Sequence, residues 1–312
     1  MLPLTARYIL DVTKVHEESR PKEAGLISKP HSRPQYVYFR VANQVSNKCP
    51  FLETTTRSYM ATSPSLHALL LLSDSALPLG SFAFSSGLES FLAHRKLAQG
   101  PKSTASANVA AFNQFLYHSL ENLASTALPY VLSAYHDPSL ETLEDIDNDF
   151  DASTPCTVAR RASVAQGKAL LTIWERALST SASGTTQASQ TLTSFAGAQK
   201  LSRTDASGLQ LNAHFAPLFG LVCLALGLGV EDTSYLFLLN HAKALLSAAV
   251  RASVMGPYQS QAVLASEGLQ MQIRMLIARY RDVRAEDAAV SVPVMDLWMG
   301  RHELLYSRIF NS

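Results

Sequence analysis

Apolar residues recur at spacings of three and four along most of the chain, the period of an amphipathic helix. The clearest stripe is Val109, Phe112, Leu116, Leu120 and Leu123, which predicts a helix over 104–127 with one face turned to a core. Pro129 ends or kinks it, because proline has no amide donor and clashes with the preceding turn. Upstream, Ser63-Pro64 reads as a cap followed by proline at the first helical position, and LHALLLLSDS continues as helix. A further helical segment covers 84–97. Val164, Leu171 and Leu178 share one side of a helix over 157–178. His214 to Leu228 is apolar all round, which predicts a buried central helix. Asp232 is placed to cap a helix over 233–254. Gly256-Pro257 breaks that helix and starts another over 258–281, where Leu269, Ile273, Leu276, Ile277 and Tyr280 recur at helical spacing. A short amphipathic tail closes the chain. No stretch alternates at period two for long enough to build a sheet. The pattern predicts an all-α, single multi-helix bundle-like domain over 61–312, with no internal repeat.

Three stretches lack the period. Residues 137–155 hold Asp137, Glu141, Glu144, Asp145, Asp147, Asp149 and Asp151 with two prolines, and read as a flexible solvated loop or an acidic docking segment. Residues 179–210, rich in Ser, Thr, Ala, Gln and Gly, read as a flexible loop or insertion. Residues 1–60 carry 9 Lys/Arg against 5 Asp/Glu and five prolines, and read as a basic, mostly disordered extension. Within them QYVYFRV (35–41) is a possible strand without a partner. Met60 opens MATSPSLHALLLL and would serve as a start of translation.

Composition narrows the function classes. Hydrophobic residues make up 47% and charged residues 16% of 312, enough for a core without staples. A formal charge of +1 gives no phosphate-binding footprint, so nucleic acid is not expected. Cys49, Cys156 and Cys223 are too few and too far apart for a disulfide framework or a cysteine-rich zinc site, which fits a reducing compartment. The longest apolar run, Phe215 to Val230, is 16 residues and includes Pro217, short of the ~20 that a membrane span needs. The opening MLPLTARYILDVTK has no signal-peptide core, and Asp11, Glu17 and Glu18 spoil a presequence. A cytoplasmic protein is expected.

The search for catalytic chemistry is nearly empty. The Gly-Lys of RASVAQGKAL (161–170) is preceded by Ala162 where a phosphate loop needs glycine, and followed by Ala169 where it needs Ser or Thr. LGLGVED (226–232) has two glycines but no third and reads as a helix cap and turn. No two histidines sit four apart, so no helical metal face exists, and no Gly-x-Ser-x-Gly turn presents a nucleophile. His214 and Glu267 are the candidates for an unrecognised all-α enzyme site, set against a core histidine and a solvent-facing carboxylate. The residues favour a binding protein, with no catalytic and no metal-ligating set.

Two segments stand out as binding candidates. SDSALPLGSFAFSSGLES (73–90) places Pro78, Gly80 and Gly87 around two aromatics, Phe82 and Phe84, ahead of Glu89. It is either a well-made interhelical loop, with Ser85 or Ser86 as cap, or a loop that presents aromatics to a partner. MDLWMGRHELLYSRIFNS (295–312) crowds Trp298, Tyr306 and Phe310 with Arg301 and Arg308 into a chain end. Such a tail must pack back or dock elsewhere, since free ends are usually polar.

These residues carry a resemblance. LLLLSDSALPLGSFAFSSGLE (69–89), RRASVAQGKALL (160–171), AHFAPLFGLVCLALGLG (213–229), AAVRASVMGPYQSQAVL (248–264) and HELLYSRIFNS (302–312) are similar, in order, to blocks of the urease accessory protein family UreF. The combination of Gly-Ser-Phe…Ser-x-Gly-Leu-Glu with a terminal Tyr-Ser-Arg is specific, and the blocks span nearly all of 66–312. The resemblance implies an all-α homodimer that binds the accessory protein UreD (also called UreH), recruits the GTPase UreG and supports nickel delivery to apo-urease. It implies an adaptor rather than an enzyme, with no cofactor of its own, nickel and GTP being carried by the partners. It transfers two roles in assembly, to Phe82 and Arg308; Phe84, Glu89, Tyr306 and Phe310 complete the expected partner-binding set. It also implies a tail that is mobile alone and ordered on binding. Many members have Tyr where Phe82 stands. The stretches 137–155 and 179–210 look longer than in compact bacterial forms, and residues 1–60 have no counterpart, which suits a eukaryotic, fungal version.

Overall fold

The structure, a computed structural model, describes residues 64–99, 104–180, 182, 187–202 and 210–311. The extension 1–60, its possible strand at 35–41 and the Ser63 cap lie outside the described residues. The described residues belong to one unit, Ser58–Ser312, and are all-α, with no strand among them.

The helices are α1 Pro64–Ser73, α2 Leu88–Gln99, α3 Ala105–Thr126, α4 Leu128–His136, α5 Leu140–Ser153, α6 Thr157–Ile173, α7 Gln187–Ser202, α8 Phe215–Ala225, α9 Val230–Arg251, α10 Pro257–Leu264, α11 Glu267–Tyr280 and α12 Val294–Arg301. One π turn, Trp174–Leu178, prolongs α6. Short 3₁₀ turns occupy Ser81–Ala83, Ala285–Asp287 and His302–Leu304. The all-apolar α8 is the central helix, packed against α4, α6 and α7. Its Leu218, Phe219, Leu221 and Val222 are at most 1% exposed, and their burial contributes on the order of 6–12 kcal/mol.

Close packing around α8 depends on two glycines. A Cβ at Gly220 would run into the carbonyl oxygen of Val131 in α4, and one at Gly167 into the carbonyl oxygen of Ala213. The Gly-Lys of 167–168 is therefore a packing site. It lets α6 approach the left-handed turn at Ala213 (φ 64°), just ahead of α8.

The acidic stretch 137–155 is mostly helix, not a flexible loop. Ser139 caps α5 by accepting from the Thr142 amide at 3.1 Å. Leu143, Ile146, Asp147 and Phe150, spaced by three, one and three, form its buried side. The stretch 179–210 likewise contains α7, whose Leu192, Phe195 and Ala196 are buried in the core. Two boundaries also differ from expectation. α9 starts at Val230 behind Gly229, so Asp232 lies in its first turn and is not its cap. The stretch 258–281 divides into α10 and α11, because Ser266 caps a new helix by accepting from the Leu269 amide. Of the two outcomes expected at Pro129 the structure shows the first: α3 ends at Thr126, and Pro129 lies in the first turn of α4.

The glycine argument has a paired test. Gly220→Ala should cost about 1–3 kcal/mol or more through overpacking against Val131. Gly197→Ala, exposed in α7 with open space around it, should be neutral or stabilise by ~0.5–1 kcal/mol through helix propensity. Chemical denaturation midpoints decide both. A second test concerns His241 in α9, which shares a 2.8 Å hydrogen bond with the Ser119 hydroxyl. Burial lowers its pKa from 6.5 to about 4, so the fold holds the ring neutral. The unfolded chain binds the proton first as pH falls, so stability is full above about 6.5 and is lost progressively down to about 4. His241→Gln should flatten that part of the stability–pH profile.

Candidate functional site

Loop 74–87 is built by local hydrogen bonds. The Ala76 amide donates to Asp74 Oδ1 at 2.9 Å, and the Leu77 amide donates to the Asp74 carbonyl at 3.1 Å. Gly80 takes a left-handed φ of 71° and leads into the 3₁₀ turn Ser81–Ala83. The Ser81 hydroxyl donates to Gln166 Oε1 at 2.8 Å, which ties the turn to α6. Ser86 and Gly87 both have positive φ, and the buried Ser85 accepts from the Glu89 amide at the start of α2. A Cβ on Gly87 would stand 2.9 Å from the Met299 amide nitrogen and 3.0 Å from Trp298, so glycine here lets α12 lie directly on the loop.

The end of the chain is seated on this loop by Glu89. One carboxylate oxygen accepts from the Ile309 amide at 2.7 Å. The other accepts from the Phe310 amide at 3.2 Å and stands 3.0 Å from His302 Nε2. Beside it the Asn311 amide donates to the Ala83 carbonyl at 2.8 Å. His302 is fully buried and Phe310 is 4% exposed, with the Arg251 guanidinium 4.5 Å over the Phe310 ring. Trp298 meets Phe91 of α2 edge-on at 5.5 Å. Outside, Glu303 accepts from Arg161 at 2.5 Å and from Arg308 at 2.8 Å, and these bonds hold its carboxyl below the ordinary range. Hydrogen bonds to a carboxylate are among the stronger ones, so the tail is held at several points.

The structure thus divides the sequence candidates into two groups. Phe82 (67% exposed), Tyr306 (fully exposed) and Arg308 face outward, joined by Leu304 and Ile309. Glu89 and Phe310 do not; they fix the tail. Phe84 is half-buried and lines a cavity of about 300 Å³ beneath the loop, with Ser119, His241 and Asp296. The tail is docked in the single chain, where the resemblance implied that it waits for a partner. Sequence reading missed His302, Glu303, Arg161 and Arg251 as its supports, since nothing in local spacing joins residues so far apart in the chain.

The enzyme alternative finds no shared site. His214 is fully buried at the start of α8, its ring 3.1 Å from both Asp151 Oδ1 and Ser163 Oγ. Burial lowers its pKa, opposed by Asp147 and Asp151. Asp147 accepts the amides of Asn212, Ala213 and His214 at 2.8, 3.0 and 2.6 Å. This is a structural junction, whereas Glu267 is exposed on the outer face of α11. Among the described residues no group of three His, Cys, Asp or Glu could hold a metal, and no helix is long and apolar enough to cross a membrane.

Comparison with known proteins points one way. The family model UreF matches residues 106–267. A protein of Schizosaccharomyces pombe described as UreF-like urease accessory protein, uncharacterised, is 40% identical over 246 residues, covering 79% of this chain and 97% of its own. Urease accessory protein F of Arabidopsis thaliana is 29% identical over 239 residues, 77% of this chain and 89% of its own. Urease accessory protein UreF of Haemophilus influenzae is 26% identical over 247 residues, 79% and 95% respectively.

The seating of the tail has its own test. Glu89→Ala removes three acceptor contacts and should weaken tail docking by about 1–3 kcal/mol. Limited proteolysis read by mass spectrometry should then show faster cleavage within 303–311 at an unchanged core melting temperature. Cleavage at the wild-type rate would show that Glu89 does not hold the tail.

Proposed function

The chain belongs to the UreF family, and on that premise we propose that it is a non-enzymatic adaptor of urease maturation that docks UreD/UreH on the seam between loop 81–87 and the tail. The resulting complex recruits the GTPase UreG and supports nickel delivery to apo-urease in the cytoplasm. Nickel and GTP belong to the partner proteins, and this chain needs no cofactor. The observation that carries the reading is the set of exposed apolar side chains gathered at that seam. Phe82, Leu304, Tyr306 and Ile309 are each at least 64% exposed. Single exposed hydrophobes are ordinary, but a group of them on a rigid support is what a protein partner covers.

The physical design suits an adaptor. Tyr and Arg are enriched at interface hot spots, and a pre-seated tail lowers the ordering cost at binding. Arg308 reaches Glu303 in the single chain, with a side chain that is 42% exposed, so it can turn its remaining donors to a partner carboxylate. Deleting 298–312 would be a poor probe, because it also removes Trp298 and the buried Phe310. Point variants are cleaner.

Co-purification of residues 60–312 with UreD/UreH and UreG, read by size exclusion with light scattering, tests the proposal. The wild type should form a stable complex that captures UreG. Phe82→Ala, Tyr306→Ala and Arg308→Ala should each weaken capture by at least tenfold, about 1.4 kcal/mol or more, at unchanged melting temperature. Phe82→Tyr should retain it. Capture of both partners by the triple variant at wild-type affinity would overturn the docking surface.

A further inference from the structure

The cavity beneath loop 74–87 contains a charge that the fold does not use. Its volume is about 300 Å³, and its wall is mostly apolar, with Phe84, Phe215 and Phe237 among its side chains. Several polar groups of the wall are engaged by the protein. Asn122 Oδ1 accepts from the Val292 amide at 3.2 Å, Asn240 donates to the Leu72 carbonyl at 3.0 Å, and Gln166 accepts from the Ser81 hydroxyl at 2.8 Å. Two charges of the wall are used as well. Lys243 donates to the Ser73 carbonyl, and Asp74 accepts from the Ala76 amide. Asp296, in the first turn of α12, is different. It is half-buried, and among the described residues its carboxylate has neither a hydrogen bond nor an ion pair. Burial raises its pKa, and no neighbouring cation opposes the shift.

A carboxylate withdrawn from water without a partner is costly, so a ligand that supplies one is favoured. The other groups of the wall do not supply it. His241 spends Nε2 on the Ser119 hydroxyl at 2.8 Å, and burial keeps its ring neutral, so it brings no positive charge. Lys243 balances Asp74, which leaves Asp296 to make the wall negative. The remaining surface is largely apolar and aromatic, with the Phe215 and Phe237 rings stacked at 6.1 Å. Small-molecule pockets are built this way, from apolar walls with a few convergent polar groups. Aromatic faces also attract ammonium groups. A cavity of ~150 Å³ takes benzene, so this one has room for an aromatic ring and a short arm. Phe82, 67% exposed, lines the same cavity, so its rim reaches the surface at the loop.

We infer that this cavity is a binding site for a small aromatic ammonium ion, its charge on Asp296 and its apolar body against Phe84, Phe215 and Phe237. A neutral or anionic ligand of the same shape would leave the carboxylate unpaired. The site goes beyond the docking of a protein partner, and its charged residue is outside the exposed set Phe82, Tyr306 and Arg308.

Isothermal titration calorimetry of the full-length chain at neutral pH, with phenethylammonium, phenethyl alcohol and phenylacetate as probes, tests the site. Phenethylammonium should bind at one site per chain. Phenethyl alcohol, the same shape without the charge, should bind at least ~tenfold more weakly, and phenylacetate more weakly still. Asp296→Asn should lose at least ~tenfold in affinity for phenethylammonium and keep its affinity for the alcohol. Ala244→Leu, which fills the cavity from α9, should lose both. Thermal melts confirm that each variant is folded, and Asp296→Asn decides the matter if Ala244→Leu does not fold. No saturable binding of phenethylammonium, equal affinity for the alcohol or the acid, or wild-type affinity in folded Asp296→Asn would each overturn the inference. The chain is titrated without a protein partner, so failure of this site and failure of the docking surface are read separately.

Discussion

One buried carboxylate sets the position of the central helix. Asp147 is fully buried in α5, and its two oxygens accept three consecutive amides, Asn212 to His214, where the chain turns into α8. A buried carboxylate without partners would be costly, and consecutive amides at a helix start need acceptors. Each group satisfies the other. The contact also holds Ala213 in a left-handed conformation that a residue with a Cβ adopts rarely. With α8 fixed there, α4 and α6 can close on Gly220 and Gly167, and the remaining helices have a core to cover.

Glu89 repeats the device at the surface. Its carboxylate gathers the Ile309 and Phe310 amides and the His302 ring, and so joins two ends of the described chain. Ordering a tail costs backbone entropy residue by residue. Here the cost is offset by the burial of Phe310 and His302, by Trp298 against α2, and by the Arg161–Glu303–Arg308 cluster outside. What remains exposed, above all Tyr306, is what the tail itself does not need for seating. The division between buried supports and exposed side chains gives the proposed docking seam a fixed support.

Much of this was legible in the residue pattern, and the failures share a cause. The stripes of α3 and α11 were visible because charged residues stay off their inner faces. The apolar run at 214–228 announced a buried helix for the same reason. In α5 the stripe Leu143, Ile146 and Phe150 was present too, but Asp147 sits on it and six other acids lie around it in 137–155. Counting charge there hid the helix, and the one acid that broke the pattern is the one the fold needs most. The loop and tail stood out as segments, and the structure packs one on the other, yet composition could not separate Phe82 and Tyr306, which face out, from Glu89 and Phe310, which face in. Nor could it place His302 beside Glu89, 213 residues away in sequence.

Amide hydrogen exchange of the isolated chain, resolved by residue across 302–311, tests the central claim most directly. A tail seated by Glu89 before any partner arrives predicts slow exchange at Ile309, Phe310 and Asn311, whose amides are bonded to Glu89 and Ala83. Exchange at those three amides at the rate of an unstructured peptide would mean that the tail is free in the single chain and that the docking surface does not exist until a partner builds it.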